Sequence, residues 1–370
     1  MSPKTLGRAI LTLMQSGLKA IFVVAMLLAR ILDPRPADAC VVCISLPEAS
    51  LGDRLLSADV IVLARPSPDN VFRYIPAEVL KGTKEQLENL PEIPFLVDST
   101  TRKMFLSDPD RTVLFVYSAE SQDQAGRKLS KGWRKLFLMS AERSQFVEIL
   151  QSHGIHWKPG IGGTSERIQF FANYLSSEDR VLRDTALVEV YRAPYALVRQ
   201  TNVSALTDQL LDDIGSIQRL NYAPASIRLL GLQTDPDAIE VVRSRYLARL
   251  KTAGPNLHEW ALAGIEVDGT FAISAIDGWV TQADWPSEDK LILIRALSDA
   301  GSAIPEFRSQ IAEVYERVLE ADVSLAGQIA FAMRDWNDDR LDPLFRELLA
   351  REETEPATRF VLQLVLEPED

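Results

Sequence analysis

Residues 229–250 read LLGLQTDPDAIEVVRSRYLARL. An apolar helical run stops at Gly231, Asp235-Pro236 supplies a turn, and an amphipathic helix follows over 239–250. The same layout recurs downstream. Residues 262–264 pass through Asp268-Gly269 into 273–280, residues 293–297 through Gly301 into 311–319, and residues 331–333 through Asp338 and Asp339 into 344–349. The anchors Leu230, Gly264, Leu297 and Met333 lie 34, 33 and 36 residues apart. That interval predicts helix hairpins, each burying its apolar stripe only against its neighbours, so that a stack forms around one continuous core. Upstream, Ser165 and Glu166 open a helix with Ile168, Phe171 and Leu175 on one face, and Leu182, Ala186 and Val190 continue the pattern to Pro194. Residues 354–366 read as a capping helix, with Thr354 as N-cap and Pro356 in the first turn. The expectation is an α-helical repeat domain over 165–370, set off by a Gly-rich linker at 156–164.

Before the linker the pattern changes. Short β-type runs occupy 58–64, 71–81, 93–97, 112–117 and 133–139, and a closing helix is expected over 142–151. Five short strands and a helix suit a small closed or half-closed barrel, because closure removes exposed sheet edges. The fold class expected is therefore multidomain α and β: a small OB-like β-barrel over 40–155, followed by an α-solenoid of helix hairpins.

The first 39 residues read as a signal peptide. Lys4, Arg8 and Lys19 precede the apolar run 20–29 (AIFVVAMLLA), and Ala37-Asp38-Ala39 gives the small-x-small pattern of a cleavage site at Ala37 and Ala39. The run is about half of what a spanning helix needs, so a periplasmic or secreted chain is expected, with an uncleaved membrane anchor as the alternative. The 370 residues are 46% hydrophobic and 25% charged, a folded globular composition. The chain carries −12, and the leader holds five basic and two acidic side chains, which leaves −15 on the rest. Such a surface repels phosphate backbones and argues against nucleic acid as a partner.

Cys40 and Cys43, Pro47, a helical turn into Ala58-Asp59-Val60, and a strand ending Val79-Leu80-Lys81-Gly82 together resemble the netrin-like module. The resemblance covers roughly a hundred residues and implies the OB-type barrel seen in tissue inhibitors of metalloproteinases. Those inhibitors begin Cys-x-Cys and clamp a protease zinc through the terminal amine and carbonyl, whereas this chain has Cys40-Val41-Val42-Cys43. The helical part resembles HEAT-type repeats in architecture. The whole layout is similar to a group of bacterial exported proteins, a likeness that implies architecture and no activity.

Cys40 and Cys43 are the only cysteines. In an oxidising compartment they suit a structural disulfide, with a redox couple or half of a zinc site as sharper readings. Covalent haem would need His where Ile44 stands, and His153, His156 and His258 lie far away in sequence. His153-Gly154-Ile155-His156 has no carboxylate or Cys at ligand spacing, and the glycines of 159–163 lack the Lys-Ser/Thr ending of a phosphate loop. Residues 183–195 offer Arg183, Asp184, Tyr191 and Tyr195 to a partner; alternatively Arg183 and Asp184 solvate a helix face while Tyr191 and Tyr195 pack against the next helix. Trp279, Trp285 and Trp336 read as core or ridge residues rather than ligand anchors. No motif assembles a nucleophile, a base and an orienter, and none asks for a cofactor or a metal. The expectation is a non-enzymatic envelope protein that binds a protein partner through its helical repeats. The alternative is a thiol redox or metal/protease-clamping module acting through Cys40 and Cys43.

Overall fold

A computed structural model describes residues 46–367, apart from 48, 120, 123–127, 130, 159–162 and 204. The leader with Ala37 and Ala39, and the pair Cys40 and Cys43, lie outside the described residues.

The β-rich part forms four antiparallel strands, β1 (Val60–Pro66), β2 (Tyr74–Lys81), β3 (Val113–Ser118) and β6 (Gly132–Leu138), in the order β2-β1-β3-β6. A separate two-stranded ribbon pairs β4 (Ser121–Gln122) with β5 (Lys128–Leu129). This corrects the barrel: the sheet is open, with β2 and β6 as its edges. The segment expected as the strand 93–97 makes only an isolated bridge, Arg73 with Leu96. Pro91 and Pro94 flank Ile93, and neither has an N–H to donate to a ladder.

The middle of the sheet is covered on both faces, while its edges stay open. β3 is buried along its whole length, as expected of a strand between two layers. Val113, Phe115 and Tyr117 face a small cluster containing Tyr74, Val97, Trp133 and Phe105. Phe105 comes from α3 (Ser99–Ser107), which the sequence reading does not anticipate. Its N-cap Asp98 accepts from the Thr101 backbone N–H at 2.8 Å. Leu114 and Val116 face the main core instead, with Phe146 and Leu150 of α4 (Ala141–His153), which is the expected closing helix. That core runs without a break from Leu55 of α1 (Leu51–Ser57), through Phe171 of α5 (Ser165–Ala172), to Leu362 of α17 (Pro356–Leu366). Trp157, in the stretch expected as linker, is buried with its ring 5.4 Å from Phe170 and 6.3 Å from Phe171.

The helical part begins with α6 (Arg180–Arg192), α7 (Tyr195–Gln200) and α8 (Thr207–Gly215). Two rows follow. The inner row is α9 (Ala223–Gly231), α11 (Leu257–Asp268), α13 (Ser287–Ala303), α15 (Ala326–Asp335) and α17, each packed on the next. The outer row holds α10 (Pro236–Thr252), α12 (Thr270–Val280), α14 (Arg308–Ala321) and α16 (Asp342–Ala350), where α10 meets α12 and α12 meets α14. The anchors Leu230, Gly264, Leu297 and Met333 fall one to each of α9, α11, α13 and α15, and all are buried. Trp336 is core: its Nε1–H donates to Ser302 Oγ at 3.0 Å and its ring stacks on Tyr315.

Gly231 ends α9 where α9 and α11 approach most closely. A Cβ there would lie 2.7 Å from the Cα of Ala263, which is backbone and cannot turn aside. In a free helix Gly→Ala stabilises by about 1 kcal/mol, but here overpacking reverses the sign. Gly231→Ala is expected to lose about 1–3 kcal/mol, read as a lower urea midpoint. An unchanged or raised midpoint would contradict the close approach.

Candidate functional site

Lone charged residues inside apolar helical stretches must find partners, because an unpaired buried charge is too costly to keep. Arg228 is one, set between Ile227 and Leu229 of α9. Its guanidinium lies over the rings of Tyr191 (4.8 Å) and Tyr195 (5.4 Å). It donates to the Tyr191 carbonyl at 2.9 Å and to Asp299 Oδ2 at 3.1 Å. Four helices contribute to this arrangement: Tyr191 from α6, Tyr195 from α7, Arg228 from α9 and Asp299 from α13.

His258 of α11 completes the cluster. Its Nε2 lies 3.0 Å from the same Asp299 oxygen and its Nδ1 lies 3.2 Å from Glu259 Oε1. Tyr191 Oη donates to that Glu259 oxygen at 2.8 Å. Beside them, Tyr195 Oη donates to Glu266 at 2.9 Å, and Arg199 Nε donates to the same oxygen. Burial opposes the imidazolium, but its hydrogen bonds to Asp299 and Glu259 outweigh it and raise the His258 pKa to about 9. Burial also raises Tyr191, reinforced by the charge on Glu259. Glu259 is pulled the other way: burial would raise it, but His258 holds it below the usual glutamate range.

Both shifts favour a charged His258 and a protonated Tyr191 at neutral pH. The arrangement is a ladder of fixed charges across α6, α9, α11 and α13. Asp299 is its solvent-facing rung, 40% exposed, and Arg295 stands exposed one turn away on α13 with no ion pair among the described residues.

Arg183 and Asp184 do not simply solvate a helix face: both are half-buried and ion-paired. Arg183 pairs with Asp213 of α8, and Asp184 accepts from Arg219, which also binds Asp213 at 2.7 Å. Tyr191 and Tyr195 pack on following helices, the second of the two readings, and donate hydrogen bonds there. Near the sheet lies a second buried cluster. Arg167 of α5 binds Glu189 of α6 and Asp53 of α1, and Arg192 pairs with Asp53 as well.

In the sequence His258 suggests only a candidate metal ligand, and Arg228, Asp299 and Arg167 belong to no motif. A usable signal was present: single charges such as Arg228, and Glu189 in ALVEVY, interrupt otherwise apolar helical runs. Among the described residues no group of three or more His, Cys, Asp and Glu gathers as a metal would require. No helix among them is long and apolar enough to cross a membrane. Comparison with protein-family models, curated proteins and solved structures returns no match.

Proposed function

We propose that this chain is an exported cell-envelope protein that binds a protein partner through HEAT-like helical repeats. The observation that carries the reading is the serial packing of α9, α11, α13, α15 and α17, the first three of them tied by the His258–Asp299–Arg228 ladder. Helices stacked in this way offer side chains from successive repeats as one ordered surface, which suits extended binding. Locking Asp299 and His258 in ion pairs before contact lowers the ordering cost of association. Export rests on the apolar run 20–29 and the Ala37-x-Ala39 pattern of the sequence.

The test is the native size and location of the protein in its own cells. Wild type is expected outside the cytoplasm and in an assembly larger than one chain. Asp299→Asn combined with Arg295→Glu is expected to release a folded, free chain. Wild type recovered free, or found in the cytoplasm, would sink the proposal.

A further inference from the structure

A cavity of about 290 Å³ lies away from the ladder, among α1, the end of β2 and the end of α4. Leu55 and Leu56, Leu80, Leu150 and Trp157 make its walls apolar, and Lys81 and Gln151 bring the polar groups. Lys81 Nζ donates to the Leu56 carbonyl at 3.0 Å. It forms no ion pair among the described residues. Of its three donors, one is engaged by a neutral acceptor. Lys81 is half-buried: burial lowers its pKa, and the nearby Asp59 charge only partly offsets this. Gln151 Nε2 is buried with no acceptor.

Apolar walls plus the spare donors of the Lys81 ammonium define one kind of occupant. We propose that this cavity binds a small monocarboxylate with an apolar tail, its carboxylate on Lys81 and its tail against Leu55, Leu80, Leu150 and Trp157. The volume sits at the small end of ligand sites, which favours a single short chain over a sterol or a whole lipid. A neutral apolar guest would leave the ammonium uncompensated. A cation would be repelled by it.

Calorimetric titration of the full chain with decanoate and with decanol, both below their micelle or solubility limits, tests this. Decanoate is expected to bind saturably at one site, at least tenfold more tightly than decanol. Lys81→Met is expected to weaken decanoate tenfold or more and leave decanol unchanged, while Leu80→Phe, which fills the cavity, abolishes both. Should Lys81→Met not fold, the decanoate–decanol ratio on the wild-type chain still decides. Equal affinity for the two ligands, no saturable decanoate binding, or full affinity in a folded Lys81→Met protein would each overturn the assignment.

Discussion

Arg167→Met is expected to lower the unfolding free energy at neutral pH by about 3–5 kcal/mol, the range for breaking a buried ion pair from one side. Arg167 is 2% exposed, and each of its side-chain nitrogens has an acceptor. Nε donates to Glu189 Oε2 at 2.9 Å, Nη2 to Glu189 Oε1 at 2.8 Å and to Asp53 Oδ1 at 3.0 Å, and Nη1 to the Lys158 carbonyl at 2.6 Å. Ser50 closes the cluster from the α1 N-cap. It donates to Glu189 and accepts from the Asp53 backbone N–H. Burial already pushes the Glu189 pKa up, with Arg167 opposing that rise. Without the guanidinium Glu189 is driven further toward its neutral form, so the loss is expected to shrink as pH falls through the carboxylate range. Urea unfolding followed by tryptophan fluorescence at pH 7 and in mild acid measures both effects. A midpoint within error of wild type at pH 7 would show that the cluster does not hold α1 to α5 and α6.

The second large effect is a pH dependence set by His258. Its folded pKa of about 9 lies above the ordinary 6.5. The added stability is therefore complete below pH ~6.5 and is lost as pH rises through ~9, and it amounts to about 3 kcal/mol. The charged and titratable groups that face it are Glu259 on its own helix, Asp299 of α13 and, through these two, Arg228 of α9 and Tyr191 of α6. Glu259 and Tyr191 give no compensating gain in the same window, since Glu259 is shifted down and Tyr191 up. Wild-type urea midpoints should fall steadily between pH 6.5 and 9. In His258→Gln they should start lower at pH 6 and run nearly flat. Parallel profiles for the two proteins would remove His258 as the cause.

What the sequence makes legible follows from the range of the interactions concerned. The helical rows are readable because each repeat is built from local periodicity, and Leu230, Gly264, Leu297 and Met333 mark the inner row one helix at a time. Four of the five expected strands appear within a few residues of their runs. Openness is different, since it depends on whether β2 and β6 meet, which no local pattern encodes. The helix α3 escapes because its single deeply buried residue is Phe105 and its first turn carries Thr100 and Thr101, which are weak helix formers. The ladder and the Arg167 cluster escape for a stronger reason. Their partners lie 22 residues apart for Arg167–Glu189, 71 for Arg228–Asp299 and 114 for Arg167–Asp53. Such pairs are created by packing, and only the isolated charge in an apolar run hints at them.

Site-specific photo-cross-linking in native cells tests the binding account most directly. A photoreactive residue replaces Arg295, beside the ladder on α13, and in a second protein replaces Glu240, exposed on the outer helix α10. One discrete, saturable protein adduct is expected from position 295, none from position 240, and the adduct should be lost when Asp299→Asn is added. Equal adducts from both positions, or none from position 295, would contradict the binding account.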